Sequence, residues 1–138
     1  MPFVLDASVA LAWHFRDEDS ASAKAAARRS YSDPVVVPQH WPLEVASAAL
    51  RGERRQRAEP EDVDRFIERL RTLDIRTDAL APDEVYSNVI PLARAHRLTV
   101  YDAAYLELAE RLGLPLATLD AALTKAARSV GVQLVEEE

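Results

Sequence analysis

The sequence predicts an α/β fold in which a parallel sheet of four to five short strands is flanked by helices. Short apolar or β-branched runs alternate along the chain with longer segments of helical periodicity. Such alternation requires crossovers that make neighbouring strands parallel and that cover both faces of the sheet with helices. The chain has 138 residues, which is enough for one domain with a proper core.

Five runs are predicted as strands because they are short and rich in apolar or β-branched residues. The second run is three valines between two prolines, whereas the third, DIRTDAL, is the weakest. Parallel strands of this kind bind ligands beyond their carboxyl ends. The five runs are residues 2–6, 33–38, 74–80, 116–119 and 132–135.

The longer segments between these runs are predicted as helices. Pro42 suits the first position of a helix, because its fixed φ fits there and its missing N–H is not needed. The segment from residue 60 has acids in its first turn, and Pro91 is expected to kink the segment that contains it. The predicted helices are residues 7–15, 20–32, 42–57, 60–73, 82–98, 102–113 and 120–129.

Composition narrows the class of protein. The chain is 49% hydrophobic and 29% charged, which is typical of a globular domain. A formal net charge of −6 argues against a protein that coats nucleic acid by bulk charge. The chain has no cysteine, which excludes disulfides and thiolate zinc sites and suits a cytoplasmic location.

The first residues and the apolar runs favour a single domain without a membrane span. No run of about 18 apolar residues predicts a membrane span. The first residues lack a basic region, and Asp6 interrupts their apolar run, so we do not expect a signal peptide. We expect residues 1–138 to form one domain, with the last few glutamates frayed.

Four acids are expected at the carboxyl edge of the sheet. Asp6 and Asp120 each follow a strand, and Glu44 lies in the first turn of the helix after the second strand. Asp102 opens a helix of about 17 Å that runs back antiparallel to a strand of about 13 Å. The start of that helix therefore belongs at the edge where the strand ends.

Each acid taken singly can be a helix cap. Asp6, Asp102 and Asp120 each precede a helical segment, and Glu44 falls at the third position if Pro42 is the first. Asp83 also begins a predicted helix at this edge and is not expected to be catalytic, so spacing alone does not separate the acids.

Convergence of the four acids would change that interpretation. A cap contributes about 1 kcal/mol, whereas two carboxylates about 4 Å apart repel by roughly 4 kcal/mol at an effective dielectric constant of 20. Clustered carboxylates must therefore take up protons or share a cation, and a site made only of acid oxygens suits Mg²⁺ or Mn²⁺.

At these residues the chain resembles a PIN-domain ribonuclease of the VapC toxin type, with a PIN-like three-layer α/β fold. The resemblance covers nearly the whole chain in order and spacing. It is carried by four pieces, VLDASVAL, VPQHWPLEVASAAL, LTVYDAAYLELA and LATLDAAL.

The resemblance implies an active site in which Asp6, Glu44, Asp102 and Asp120 bind one or two Mg²⁺ ions. Ser8 matches the hydroxyl residue that accompanies the first aspartate of the family, and Thr118 matches the hydroxyl two residues before the last acid. The activity implied is hydrolysis of RNA phosphodiester bonds by an activated water, which leaves a 5′-phosphate.

The same resemblance implies partners. Proteins of this type form homodimers and are neutralised by a small antitoxin, whose tail places an arginine among the acids. The complex binds operator DNA through the antitoxin. RNA is the implied substrate and no membrane partner is expected.

Residues 51–57, RGERRQR, form the best basic cluster. Arg51, Arg54 and Arg55 are candidate contacts to RNA phosphates, and the alternative is a solvated helix end that favours arginine. Tyr101 and Tyr105 flank Asp102 and are expected to pack. The three histidines show no ligand spacing and are interpreted as structural, so a metal-free mechanism with two imidazoles lacks obvious participants.

Three other functions compete with the toxin. A PIN nuclease that processes RNA without an antitoxin would lack a short upstream reading frame for a DNA-binding protein. A phospho-acceptor receiver domain needs an acidic pair after the first strand, where VLDAS has a single acid. A PIN-like scaffold that only binds is disfavoured by the complete set of four acids.

Overall fold

Four parallel strands form one sheet with the order β3-β2-β1-β4. A computed structural model describes residues 1–15 and 20–136. The predicted parallel sheet is confirmed, and four of the five predicted strands are present. Their bounds are β1 Phe3–Leu5, β2 Val35–Pro38, β3 Ile75–Asp78 and β4 Leu116–Ala117.

The fifth predicted strand, residues 132–135, is reduced to a single parallel bridge between Leu134 and Leu116. Leu116 N donates to Gln133 O at 2.8 Å, and Val135 N donates to Leu116 O at 2.9 Å. Because β4 is only two residues long, it offers few backbone groups to a fifth neighbour.

The helices confirm the predicted alternation. The segment around Pro91 contains a π-helical turn, in which the N–H of Ile90 bonds to the carbonyl of Val85, so the interruption directly precedes the proline. The helices are α1 Ala7–Phe15, α2 Ala21–Ser30, α3 Trp41–Arg54, α4 Pro60–Arg71, α5 Pro82–Glu84, the π turn Val85–Val89, α6 Ile90–His96, α7 Val100–Leu112 and α8 Ala121–Val130.

The core lies on the sheet and between two groups of helices. α7 packs on β1, β2 and β4 and contacts α6 and α8, whereas α1 packs on α2, α3 and α4. All three residues of β1 have 0% exposure, as expected for a central parallel strand. The helices flank the sheet as predicted, and the fold is α/β.

The edge strand β3 is the most exposed strand, and its middle residues, Arg76 and Thr77, face solvent. This explains its weak strand pattern. Within residues 1–15 and 20–136, the helices are all too short or too polar to cross a membrane. The predicted fraying of the tail falls partly on residues 137 and 138, which lie outside the described residues.

Candidate active site

The candidate site lies where the strand order reverses. β2 is on one side of β1 and β4 is on the other, so a crevice opens at the carboxyl ends of β1 and β4. Asp6 directly follows β1, and its N–H donates to Ala117 O of β4 at 2.9 Å. Asp120 follows β4 after a turn of two residues, so both aspartates lie at this switch point.

Asp6 is held by two hydroxyl groups. Its side chain is 4% exposed, and its Oδ2 accepts hydrogen bonds from Ser8 Oγ at 2.8 Å and from Thr118 Oγ1 at 2.7 Å. A buried carboxylate needs such partners, because each hydrogen bond that is not formed leaves the desolvation of the carboxylate uncompensated. Ser8 and Thr118 therefore fix the orientation of Asp6.

The same two hydroxyls connect Asp6 to the end of β4. Thr118 Oγ1 accepts from Asp120 N at 3.0 Å, and Ser8 Oγ accepts from Leu119 N at 3.1 Å. Each hydroxyl thus donates to Asp6 and accepts from the backbone around Asp120. Residues 116–119 were predicted as the strand. β4 instead ends at Ala117, because the N–H groups of Leu119 and Asp120 bond to these hydroxyls and not to a neighbouring strand.

Asp120 combines two roles. Its Oδ2 accepts from Leu123 N at 2.8 Å, so it caps α8 as its position predicted. Among the described residues only Oδ2 accepts a hydrogen bond, which leaves Oδ1 for another partner. A capping aspartate can therefore also face the crevice.

Glu44 does not occupy the third helical position, where it could have acted as a cap. α3 begins at Trp41 instead of Pro42, so Glu44 is the fourth helical residue, and its N–H bonds to His40 O at 3.0 Å. Its carboxylate Oε1 accepts from the Tyr105 hydroxyl at 2.5 Å. The Glu44 carboxylate is thereby held between α7 and His40, the N-cap residue of its own helix.

Asp102 is also not a cap. α7 begins at Val100, and its N-cap is Thr99, whose Oγ1 accepts from the N–H of Asp102 at 3.1 Å. Asp102 is the third residue of the helix and has no capping duty. Its half-buried carboxylate is therefore available to the crevice.

The four acids influence one another electrostatically. Burial, and then the charge of Glu44, raise the pKa of Asp6 against the opposing hydrogen bonds. Burial and the charges of Asp6 and Asp120 raise the pKa of Asp102. Burial and the charge of Asp102 raise the pKa of Glu44. The structure thus brings the four predicted acids to one edge, where neighbouring like charges oppose the ionisation of Asp6, Glu44 and Asp102.

The donor set fits a hard divalent cation in chemistry, although it is not arranged as a closed site. All four groups offer carboxylate oxygens, the ligands that Mg²⁺ and Mn²⁺ prefer. Within residues 1–15 and 20–136, no three His, Asp or Glu side chains are grouped closely enough to hold a metal ion. Binding a cation would therefore require these carboxylates to move closer together.

Two aromatic neighbours of the acids were predicted to be structural. Tyr105 is fully buried and donates to Glu44, and His40 Nε2 lies 3.8 Å from Glu44 Oε1. Burial lowers the pKa of His40. Their sequence signals were the spacing of three residues from Asp102 to Tyr105 and of four from His40 to Glu44, which place side chains on one helix face.

We expect Tyr105→Phe to raise the pKa of Glu44 further, because the lost hydrogen bond is the interaction that lowers it. The free energy of unfolding should fall by about 1 kcal/mol. Carboxyl ¹³C NMR titration and urea unfolding would measure the two effects. Tyr101→Phe is the matched control, since Tyr101 is 63% exposed, and equal effects in both variants would contradict the prediction.

The predicted basic cluster borders the acid site. Arg51, Arg55 and Arg57 line a cavity of about 390 Å³ whose wall also includes Ser8 and Asp120. The cavity lies between the end of α3 and the switch point. Arg54, the third candidate RNA contact, is not among its lining residues.

Asp83, the acid that was not expected to be catalytic, is exposed in the short helix α5. Trp13 and Trp41 are buried, and Trp13 Nε1 donates to Ala23 O at 2.8 Å. His14 stacks on Phe66 with ring centroids 4.5 Å apart, in agreement with its structural interpretation.

Comparison with known proteins assigns the family. The PIN domain family matches residues 3–129. Ribonuclease VapC3 of Pyrobaculum aerophilum is 32% identical over 129 residues, which cover 91% of this chain and 94% of the relative.

Two solved structures share the fold. PAE2754 from Pyrobaculum aerophilum has a TM-score of 0.66 at 23% identity and covers 91% of this chain and 87% of its own. A toxin–antitoxin complex from Klebsiella pneumoniae has a TM-score of 0.64 at 18% identity and covers 99% of both chains. From the matched range and the 32% identical relative, this chain belongs to the PIN domain family and to its VapC type.

Proposed function

We propose that this chain, one PIN domain over residues 1–138, is a metal-dependent endoribonuclease toxin. It cleaves RNA phosphodiester bonds with an activated water and is inhibited by a cognate antitoxin. The observation that carries the proposal is that Asp6, Glu44, Asp102 and Asp120 lie together at the carboxyl edge of the sheet, where burial and the neighbouring acids raise the pKa of the first three. Similarity to Ribonuclease VapC3 supports RNA as the substrate.

The four acids would hold one or two Mg²⁺ ions, with Mn²⁺ as a substitute. A bound divalent ion lowers the pKa of a water and stabilises charge on the phosphate and the leaving oxygen. Ser8 and Thr118 keep Asp6 oriented, and Tyr105 keeps Glu44 turned toward α7. These hydrogen bonds orient two of the four carboxylates, so binding the ion would require a smaller rearrangement of the site than four free side chains would.

The arginine-lined cavity gives the RNA backbone a cationic path to the acids. Arg51 and Arg55 are exposed along its wall, and Ser8 and Asp120 lie on the same wall. A net charge of −6 repels RNA in bulk, so local arginines are needed to offset the repulsion near the site.

Arg51→Gln and Arg55→Gln should each weaken the binding of single-stranded RNA to a similar degree for all sequences. Each removed guanidinium should lower the slope of log affinity against log salt by about 0.7, because one fewer counterion is released. Fluorescence anisotropy in EDTA, without cleavage, would measure both quantities.

Arg54→Gln is the matched control for these two variants. It removes the same charge from the last turn of α3, directly before Arg55, but lies off the cavity wall. A loss of affinity as large as that of Arg51→Gln would show that the bulk charge of the helix end matters and that the cavity does not.

An antitoxin is the proposed protein partner. The chain shares its fold with a chain of the toxin–antitoxin complex from Klebsiella pneumoniae, which supports an antitoxin as the partner. An arginine from the antitoxin could pair with carboxylates that no cation neutralises, since guanidinium–carboxylate pairs form strong double hydrogen bonds. We further propose that the chain forms a homodimer and acts in the cytoplasm. Operator DNA would be bound only through the antitoxin.

The deciding experiment is cleavage of purified cellular RNA by the purified chain, with sequencing of the 5′-phosphate ends. We expect discrete new ends with Mg²⁺ or Mn²⁺, and none on DNA of the same sequence. Intact RNA in the presence of either ion, with a folded protein, would refute the proposed activity. Mapping of the same ends in cells after induction would then identify the RNA target.

A further inference from the structure

A small pocket lies beside the acid site, on the side of Glu44 and Asp102. Its volume is about 170 Å³. Two of its lining residues connect it to the acids, because His40 lies 3.8 Å from Glu44 Oε1 and Tyr101 directly precedes Asp102. The cavity lined by arginines lies on the other side, next to Asp120.

We propose that this pocket binds one nucleobase of the RNA substrate and sets the base preference beside the cleaved bond. The proposal rests on the proposed ribonuclease function and extends it to substrate selection. The RNA backbone would then run from Arg51 and Arg55, across the acids, to a base held beside His40.

The position of the pocket limits what can reach it during cleavage. His40 is a wall of the pocket and a neighbour of Glu44, so the pocket and the acid site are separated by one side chain. A nucleotide whose phosphate lies at the acids must place its base or the next base within that distance. Single-stranded RNA can do so because its bases are free to turn outward.

The lining suits a flat ring with a polar edge. Its walls are mainly apolar, including Leu80, Val85, Val89 and Ala104. Binding sites of this composition use a few polar groups to orient the ligand. The volume is too small for a folded segment but is of the size of a single heterocycle.

Of the polar residues in the lining, His40 and Gln39 can read the edge of a base, in addition to the hydroxyl of Tyr101. The carboxylates of Asp78 and Glu107, which also line the pocket, both bind Arg111. His40 Nε2 is buried and has no hydrogen-bond partner among the described residues. A buried nitrogen without a partner is unfavourable, and a base edge would supply one if the imidazole turned from Glu44 toward the pocket. Gln39, exposed at the same pocket, offers a second donor and acceptor.

The mouth of the pocket carries exposed apolar side chains. Tyr101 is 63% exposed and Val100 is 43% exposed, although both precede a catalytic candidate in the same helix. An exposed ring beside a nuclease site can stack on a base, as aromatic rings do in proteins that bind single strands. Because both side chains are exposed, neither contributes to the core.

Nucleoside binding tests the pocket without depending on cleavage. Adenosine, guanosine, cytidine and uridine would each be titrated into the full chain, followed by the methyl NMR signals of Val85, Val89 and Ala104. We expect one nucleoside to shift these signals at a concentration at least about tenfold below the others.

Two variants show whether the binding is in this pocket. Ala104→Leu fills it and should abolish the shifts, and Tyr101→Ala, at an exposed position, should weaken binding about tenfold. The amide spectrum of each variant checks its fold. If all four nucleosides leave the methyl signals unchanged, or if the shifts persist in both variants, the proposal is wrong. If the pocket instead binds an apolar side chain of a protein partner, all four nucleosides would leave the methyl signals unchanged.

Cleavage of an RNA library with randomised sequence provides the second readout. The wild-type chain should prefer one base at a fixed position beside the cut, by about tenfold, and Ala104→Leu should reduce this preference below about twofold while cleavage continues. Cleavage with no preference contradicts the proposal. An absence of all cleavage refutes the proposed function instead, and nucleoside binding still decides the pocket.

Discussion

Asp6→Asn is expected to reduce RNA cleavage by a factor of roughly 10³ or more while the fold is retained. The amide removes the charge that would bind the cation but keeps the shape of the side chain. Its oxygen can still accept the hydrogen bonds that Ser8 and Thr118 now donate to Oδ2. The rate of appearance of RNA 5′-phosphate ends at saturating Mg²⁺ would measure the loss.

The stability of the same variant separates a catalytic effect from an unfolding effect. Because burial raises the folded-state pKa of Asp6 above that of the unfolded chain, its contribution to stability is present below the ordinary aspartate pKa, about 3.9. That contribution is lost as pH rises through the folded-state pKa. At neutral pH without metal, Asp6→Asn should therefore melt at or above the wild-type temperature.

Two further variants complete this experiment. Asp102→Asn should lose cleavage to a similar extent, since Asp102 has no capping duty and interacts with Asp6 and Asp120. Asp83→Asn is the matched control, because Asp83 is an exposed acid at the start of a helix. Undiminished cleavage by both Asp6→Asn and Asp102→Asn would overturn the assignment of the site.

The order of strands and helices could be predicted because it follows from local pattern. Short β-branched runs such as VVV and periodic segments such as residues 60–73 carry their structure within a few residues. The carboxyl edge follows from that order, so the shared location of Asp6 and Asp120 was also predictable. The fifth strand was less predictable, because its pairing depends on the length of β4.

Helix starts could not be fixed in the same way. Thr99 and Asp102 are both good N-cap residues, and the sequence does not say which one is used. The structure selects Thr99, and the helix then begins two residues before Asp102. The choice has a functional consequence, because it frees the Asp102 carboxylate from the backbone.

Contacts across the chain were the least predictable part of the site. The hydrogen bond from Tyr105 to Glu44 joins residues 61 positions apart. Tyr105 has the composition and spacing of an ordinary core residue, so it was interpreted as packing. Only the folded structure reveals that its hydroxyl meets a carboxylate of α3. The pocket beside His40 is equally invisible in the sequence, since its walls come from separate segments.

Removal of divalent metal is expected to abolish cleavage, and Mg²⁺ or Mn²⁺ should restore it. Carboxylates with raised pKa values need a cation to ionise together, and without it no group in the site lowers the pKa of the attacking water. Cleavage would be assayed in EDTA and then after each ion is added in excess. Ca²⁺ is a suitable control, because its larger size favours a different coordination geometry. Full activity in EDTA would contradict metal dependence.

Metal binding should also stabilise the fold, by about 2.7 kcal/mol when the free ion is at 100 times its dissociation constant. The effect should grow with pH, because the raised pKa values of Asp6, Glu44 and Asp102 make the cation compete with protons. Thermal melts of the wild type with and without Mg²⁺ would measure it at several pH values. Asp83→Asn should keep the increase in melting temperature, whereas Asp6→Asn should lose most of it. The two variants share the same change in charge, so an equal response in both would place the cation outside the four acids.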